Sequence, residues 1–385
     1  MASQKRQISM SATIAPPAKA PVRGIVRSPR VLAGVGATLA VLLAAALTGS
    51  RTGLDLLLPL GLALMIALAY ANGANDVSKA IATLVGSGVA DYRRAIAWGT
   101  LCTVLGALCS ALVAAGLIGA FTKGILAADA HQTELFALAV ILGAILWVVL
   151  ATRIAMPVST THAITGSLVT VGAVAYGAGE VQWGSLLQKI ALPLLLSPFL
   201  ALAVAIAVYF AVRFLAGCRA SRALNGLHWL SSGAASFARG LNDTPKIVAL
   251  GVAFYLITLH TAKYDAPYWI FALVALGMGA GSYVGGLKVT ATLAEKVTKM
   301  DHTEGFAANL TTSALVIAAT TRGLPVSTTH VSSGAIIGIG LRHRAGRINW
   351  RVVRDVALAW VVTLPGAGLL GLAAYLPLRL VSGGA

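Results

Sequence analysis

The six residues Pro157–His162 read PVSTTH, and the same six letters return at Pro325–His330. Both copies lie inside long apolar stretches, where buried hydroxyl side chains are costly unless they have partners. A second pair of motifs accompanies them, NGANDVSK at Asn72–Lys79 and RGLNDTPK at Arg239–Lys246. The hydroxyl motif repeats after 168 residues and the Asn-Asp pair after 167. Two motifs that recur in the same order at the same interval indicate a duplicated half.

The composition is that of a membrane protein. Of the 385 residues, 58% are hydrophobic and 11% are charged, and the mean hydropathy is +0.84. Apolar runs of about 20 residues, enough to cross a hydrocarbon core of roughly 30 Å, recur along the chain. The net charge is +17, but Lys and Arg form short clusters between these runs, without the interleaved aromatics of a nucleic-acid platform. We therefore predict an all-α integral protein of the lipid bilayer, with no nucleic-acid partner and no cofactor.

Hydropathy and the positions of the basic loops divide the chain into domains. We predict a disordered basic cytoplasmic tail over 1–30, a first half over 31–216, a short central loop over 217–229 and a second half over 230–385. The expected crossings are 31–49, 54–78, 95–120, 134–151, 157–178, 187–213, 230–258, 267–287, 306–321, 325–341 and 356–378. An odd number of crossings separates the two Asn-Asp pairs, which predicts inverted repeats with about ten to twelve transmembrane or re-entrant helices. Segments 157–178 and 325–341 fit either a crossing or a re-entrant hairpin.

Two acidic residues, Asp76 and Asp243, lie well inside apolar segments, out of 12 in the chain. A carboxylate at that depth costs about 2.5–3.5 kcal/mol on insertion scales, so each needs a partner. A lysine three residues further on could form a simple ion pair with each. The alternative is a site for Na⁺ or a proton, with helix breaks at Gly73 and Gly240 that free backbone carbonyls. The candidate cation ligands are Asn75, Asp76, Asn242 and Asp243.

The hydroxyl motif predicts an anion site at helix N-termini. Pro157 and Pro325 suit the first turn of a helix, where the following hydroxyls lie beside free backbone N–H groups. Helix N-termini carry partial positive charge, so two of them from inverted halves could clamp one tetrahedral oxyanion. Alternatively, the hydroxyls only bond carbonyls of their own helix or tie helices together. His162 and His330 end the motifs as either structural residues or proton carriers.

The two Asn-Asp motifs and the two PVSTTH motifs, in this order on a duplicated apolar chain, resemble the inorganic phosphate transporter (PiT) family over roughly residues 55–380. The resemblance implies a symporter that holds phosphate and Na⁺ or H⁺ between inverted halves, as a homodimer in a bacterial inner (plasma) membrane. The implied substrate contacts are Ser159, Thr160, Thr161, Ser327, Thr328 and Thr329, to which we add Lys79 and Lys246. The family's first motif often reads GANDVANA, whereas this chain has GANDVSKA. The lysine could replace a bound cation or bind the anion, so the coupling ion stays open.

Three classes of function fit these residues. A secondary anion symporter is favoured, and a passive anion channel would use similar polar helix ends. A membrane-embedded hydrolase could use Ser159, His162 and Asp76 as nucleophile, base and orienting group. Duplication argues against the hydrolase because catalysis needs one asymmetric site, so we predict that the protein is not an enzyme. Sulfate or another tetrahedral oxyanion is the alternative substrate to phosphate.

Overall fold

A computed structural model of the chain describes residues 53–122, 124–127, 132–216, 222–259, 266–342 and 348–381. These residues are mostly helical, and their β pairing is limited to two isolated bridges, Leu126 with Val181 and Thr298 with Ile348. The expected tail over 1–30 and the expected crossing 31–49 lie outside the described residues.

Each half of the chain contains a series of helices that begins with the helix carrying the Asn-Asp motif. In the first half they are α1 (Gly53–Asp76), α2 (Ser78–Gly86), α3 (Tyr92–Cys109), α4 (Ala115–Thr122), α5 (Glu134–Arg153), α6 (Thr160–Ala175) and α7 (Leu192–Ala216), the last preceded by the short helix Trp183–Ser185 and the π-helical stretch Leu186–Ala191. In the second half they are α8 (Arg222–Leu259), α9 (Tyr268–Gly285), α10 (Leu287–Ala291), α11 (His302–Thr320), α12 (Thr328–Leu341) and α13 (Trp350–Val381).

Two expected boundaries are corrected by the structure. The segment 95–120 is not one crossing, because α3 ends at Cys109 and a 3₁₀ turn, Ser110–Leu112, separates it from α4. Residues 222–229, expected in the central loop, form the first two turns of α8.

The distribution of polar and apolar side chains is that of a membrane protein. Within the described ranges, six helices are long and apolar enough to cross a bilayer: Leu58–Gly86, Tyr92–Leu112, Glu134–Arg153, Trp183–Leu215, Tyr268–Gly285 and Trp350–Leu380. Large apolar side chains such as Phe214 on α7 and Leu380 on α13 are more than 80% exposed, whereas Asp76 and Lys246 are buried. Charged groups inside and leucines outside reverse the pattern of a soluble protein. The chain is therefore an all-α integral membrane protein.

The two halves interlock through one set of contacts that is made twice. Helix α1 packs against α9, and its counterpart α8 packs against α3. In the same way α6 packs along α13, and its counterpart α12 packs along α7. The first helix and the hydroxyl helix of each half therefore contact the other half. Each of these contacts of the first half therefore has a counterpart in the second, as the duplication predicts.

Glycines make these helix crossings close. A Cβ built on Gly73 would overlap the backbone carbonyl of Met278 in α9, and one built on Gly240 would overlap that of Thr103 in α3. Helix α8 continues through Gly240, so the break expected there is wrong; α1 continues through Gly73 and ends at Asp76, so the first half is interrupted at Val77, inside the motif but not at the glycine itself. The glycines supply space for a neighbouring backbone, as small residues do at membrane helix interfaces.

We expect Gly240→Ala to destabilise the protein, because the added methyl group can be accommodated only by moving the backbone of α3. Overpacking of this kind costs about 1–3 kcal/mol. The matched control is Gly226→Ala in the same helix, where an added Cβ meets open space. There the change should be neutral or stabilising, since Ala is favoured over Gly in helices by about 1 kcal/mol. Thermal unfolding in detergent compares the two variants, and equal Tm values would contradict the close crossing.

The PVSTTH motifs follow the turns of two antiparallel helical hairpins. Helix α6 returns to the start of α5, where the Thr133 N–H donates to the Tyr176 hydroxyl at 3.0 Å. Helix α12 returns to the start of α11, where Arg342 forms an ion pair with Glu304. Helices α6 and α12 have 16 and 14 residues. Their lengths of about 24 and 21 Å are short of a hydrocarbon core of roughly 30 Å, which favours the re-entrant alternative.

Candidate functional site

Asn72 joins the two Asn-Asp motifs in one buried polar centre. Its Nδ2 lies 3.2 Å from Asp76 Oδ2, 3.3 Å from Asp243 Oδ2 and 2.9 Å from Thr160 Oγ1, so its two N–H groups are shared among three acceptors. All four side chains are buried. Carboxylates from opposite halves therefore share one donor, beside a hydroxyl of the first PVSTTH motif.

Lys246 points into this centre. It forms an ion pair with Asp243 at 3.2 Å, one helical turn away, as the spacing predicts. Its Nζ also donates to the carbonyl oxygen of Val326 at 2.9 Å and to Thr161 Oγ1 at 2.8 Å. The lysine therefore ties the Asn-Asp motif of the second half to the hydroxyl motifs of both halves.

Lys79 occupies the equivalent place in the first half. It forms an ion pair with Asp76 and donates to the carbonyl oxygen of Val158 at 2.8 Å. The same carbonyl accepts a hydrogen bond from Thr329 Oγ1 at 2.8 Å. Both lysines thus bond an aspartate three residues earlier and the carbonyl just before a hydroxyl helix.

Asn75 holds the turn that leads into the first hydroxyl helix. Its Nδ2 donates to Thr152 Oγ1 and to the Met156 carbonyl oxygen, each at 2.9 Å. Its Oδ1 accepts from the Val158 N–H at 3.1 Å. The amide is therefore bonded to the protein on both of its atoms.

Asn242 makes matching contacts in the second half. Its Nδ2 donates to the Val326 carbonyl oxygen at 3.1 Å and to Asp243 Oδ1 at 3.0 Å. Its Oδ1 accepts from Thr320 Oγ1 at 3.2 Å. In this structure the two asparagines position the hairpin turns, and their role as cation ligands stays a prediction.

Ser159 and Ser327 are the N-caps of the hydroxyl helices. Their side-chain oxygens accept from the backbone N–H groups of His162 at 3.2 Å and His330 at 3.3 Å. A serine cap of this kind satisfies one of the free N–H groups at a helix start.

Pro157 and Pro325 stand two residues before these caps, in the approach to the helix. The expectation that they occupy the first helical turn is therefore wrong. The strong preference of serine for the N-cap position decides the boundary.

The N-termini of α6 and α12 meet at the centre. The rings of His162 and His330 are 4.5 Å apart between centroids, and His330 Nδ1 lies 2.9 Å from the Leu194 carbonyl oxygen. Within the described ranges, His162 Nδ1 and His330 Nε2 have no hydrogen-bond partner. The two hydroxyl motifs, far apart in sequence, thus begin their helices side by side.

Arg239 is a component of the centre that the sequence reasoning missed. It is buried, and it donates to Asn72 Oδ1 at 3.3 Å, Thr103 Oγ1 at 2.8 Å and Ser282 Oγ at 3.1 Å. By the 167-residue step, Arg239 is the counterpart of Asn72 in the second half. A search of apolar segments for buried basic residues, made in the same way as for acidic ones, would have found it.

The polar centre has a positive balance of charge. Counted in their ionised forms, Asp76 and Asp243 face three basic groups, Lys79, Arg239 and Lys246, which leaves one net positive charge. The charges of Lys79 and Arg239 attract both carboxylates. In a medium of low dielectric constant, an uncompensated charge favours a counter-ion strongly. The centre is therefore suited to an anion.

A cavity of about 250 Å³ lies beside the turn between α5 and α6. Trp147, Met156, Val158 and Asp355 are among the residues that line it. Val158 connects the cavity with the centre, because its carbonyl oxygen accepts from Lys79.

Comparison with known proteins follows the duplication. The model of the phosphate transporter family matches residues 72–225 and again residues 216–371, so each match contains one Asn-Asp pair and one hydroxyl motif. The chain belongs to the phosphate transporter family. The resemblance to inorganic phosphate transporters that the motifs predicted is thereby confirmed.

Individual relatives carry matching descriptions. A Bacillus subtilis protein described as a probable low-affinity inorganic phosphate transporter is 31% identical over 340 residues, covering 85% of this chain and 100% of the relative. A Mycobacterium bovis protein with the same description is 30% identical over 318 residues, covering 80% of this chain and 75% of the relative. A solved structure titled "The sodium-dependent phosphate transporter" has a TM-score of 0.75 and 24% identity, covering 84% of this chain and 99% of that chain. This structural similarity shows that the chain has the same fold as that protein.

Proposed function

We propose that this phosphate transporter family member is a secondary active symporter, which moves inorganic phosphate across the membrane together with Na⁺ or H⁺. One observation carries the proposal. The two hydroxyl helices begin side by side at a buried centre that has one net positive charge and contains an aspartate from each half.

Phosphate binds, on this proposal, between the starts of α6 and α12. The first backbone N–H groups of a helix have no partner within the helix, and they favour phosphate-like oxygens. Lys79 and Lys246 add positive charge next to these starts. The proposed hydroxyl contacts are Ser159, Thr160, Thr161, Ser327, Thr328 and Thr329, of which Thr329 would exchange its hydrogen bond to the Val158 carbonyl oxygen for one to phosphate.

The two aspartates carry the coupling charge in this proposal. Asp76 and Asp243 are buried and close enough to share the Asn72 donor. A proton or cation that binds either carboxylate changes the charge at the anion site, which links the two binding events. Asn75 and Asn242 complete the proposed cation site. They either contact the cation directly or hold the turns next to it.

Transport also needs access from two sides of the membrane. Because the site is built from both interlocked halves, a movement of one half against the other would open it alternately. We further propose a homodimer in a bacterial inner membrane, with no cofactor. The relatives are described as transporters, in line with a protein that is not an enzyme.

Accumulation in proteoliposomes tests the function. Labelled phosphate should rise above its equilibrium level when an inward gradient of Na⁺ or of protons is imposed. A passive channel would only equilibrate phosphate, and a sulfate permease would show stronger competition by sulfate than by unlabelled phosphate. Failure of every imposed gradient to drive accumulation would contradict the symporter.

We expect Thr160→Val and Thr328→Val to weaken phosphate binding while valine keeps the side-chain shape. A hydrogen bond to a charged group contributes about 1.5–3 kcal/mol, so the apparent KM should rise by roughly ten- to a hundredfold. The control is Thr321→Val, an exposed threonine whose hydroxyl bonds Ile317 in its own helix at 3.0 Å. Uptake at varied phosphate and varied cation separates the roles. If only the cation dependence of uptake changed, the threonines would not be part of the anion site.

A further inference from the structure

The ammonium groups of the two buried lysines each bond a set of protein oxygen atoms, here called a cage, with three oxygens around Lys246 and two around Lys79. Around Lys246 Nζ are Asp243 Oδ1 at 3.2 Å, the Val326 carbonyl oxygen at 2.9 Å and Thr161 Oγ1 at 2.8 Å. Every residue that supplies an oxygen is buried. The cage contains one carboxylate, one carbonyl and one hydroxyl, with a single positive charge at its middle.

The cage around Lys79 is the repeat-related counterpart. Its Nζ contacts Asp76 Oδ1 and the carbonyl oxygen of Val158, the residue that matches Val326. Thr329 Oγ1, from the opposite half, donates to the Val158 carbonyl oxygen and not to Lys79, whereas Thr161 Oγ1 bonds Lys246 directly. The carboxylate and the carbonyl oxygen therefore recur around both lysines, and the hydroxyl completes the set only around Lys246.

Such oxygen sets are those that transporters use for Na⁺. Carboxylate, hydroxyl and free backbone carbonyl oxygens near the meeting point of inverted repeats coordinate the coupling ion. A lysine ammonium carries the same single charge and bonds the same oxygens, but it is covalently attached to the chain. It cannot leave with the substrate.

We propose that Lys79 and Lys246 act as tethered substitutes for two alkali cations, so that this protein binds its anion without Na⁺. Together with Arg239 they supply three fixed positive charges against two carboxylates. An incoming oxyanion is then compensated by the protein itself. The statement about anion binding rests on the proposed phosphate function. The statement that the lysines occupy cation-like sites rests on the geometry alone. Of the two coupling ions considered above, Na⁺ and H⁺, the inference excludes Na⁺, so the coupling ion would be the proton.

The test measures Na⁺ binding directly on the purified full-length protein in nanodiscs. Saturable binding of ²²Na⁺ is recorded for the wild type, Lys79→Ala and Lys246→Ala, with the exposed Lys288→Ala as the matched control. The wild type and the control should bind no Na⁺ saturably. Lys246→Ala opens a cage that keeps its aspartate and should gain saturable binding. Na⁺ should then raise its Tm by about 2–5 °C over choline at equal ionic strength.

Phosphate affinity in Na⁺ and in choline is measured in parallel. The wild type should give the same dissociation constant in both salts to within about twofold. Saturable Na⁺ binding by the wild type would overturn the inference, as would folded lysine variants that gain no Na⁺ binding. If the variants do not fold, the wild-type measurement decides alone. Loss of phosphate binding in every salt would instead refute the proposed function, while the ²²Na⁺ result would still decide the role of the lysines.

Discussion

Asp243→Asn should abolish gradient-driven accumulation of phosphate, and Asp76→Asn should do the same. Asparagine has nearly the shape of aspartate, and it can still bond Asn72, which contacts both positions. It cannot accept a proton near neutral pH, however, and it cannot neutralise a lysine. Each substitution therefore removes a coupling charge while it preserves the packing of the centre.

The electrostatic consequence is large because the centre is buried. Replacing either carboxylate raises the net charge from one to two positive charges and leaves Lys79 or Lys246 without its ionic partner. Breaking one side of a buried ion pair costs about 3–5 kcal/mol when the remaining charge stays uncompensated. A bound anion would offset part of this cost. The variants should therefore hold phosphate but fail to couple its movement to a gradient.

Two transport assays distinguish these steps. Exchange of labelled for unlabelled phosphate at equilibrium needs binding and alternating access, whereas accumulation also needs the coupling charge. Asp91→Asn is the control, because Asp91 is exposed and caps α3, a role that asparagine fills equally well. Wild-type accumulation by both Asp76→Asn and Asp243→Asn would remove the aspartates from the coupling mechanism.

The repeat and the ion pairs could be predicted from the sequence because both depend on spacing. A shared offset identified the two halves, and a lysine three residues after an aspartate lies one helical turn from it. The ion pairs of Asp76 with Lys79 and of Asp243 with Lys246 follow from that rule alone.

Features that depend on the opposite half could not be predicted in this way. A glycine in an apolar helix fits either a break or a close crossing, and the backbones of Met278 and Thr103 decide for the crossing at Gly73 and Gly240. The contact between Lys246 and Thr161 was missed for the same reason, since Thr161 approaches Lys246 from the other repeat. Local rules determine a helix and its ends, whereas the chemistry of this site lies between the halves.

Arg239 illustrates this dependence most clearly, because its three hydroxyl and amide partners come from α1, α3 and α9. Thr103 and Ser282 lie in the two helices that cross α8 and α1 at the glycine contacts. One guanidinium therefore fastens both crossings, and its charge attracts Asp76 and Asp243 as well. Arginine suits such a place because its planar group presents several donors in fixed directions.

We expect Arg239→Asn, which inserts the residue found at the matching position of the first half, to lower both stability and phosphate affinity. The loss of a buried charge and of three hydrogen bonds should cost about 3–5 kcal/mol of unfolding free energy. The net charge of the centre falls to zero, so phosphate should bind at least about tenfold more weakly. Arg239→Lys keeps the positive charge but loses the planar guanidinium group with its several donors. Its phosphate affinity should therefore be close to that of the wild type, while its Tm should remain lowered. The exposed Arg94→Asn should change neither the affinity nor the Tm. Thermal unfolding and phosphate binding on the same samples separate the two effects, and wild-type values of both for Arg239→Asn would show that the arginine only fills space between the helices.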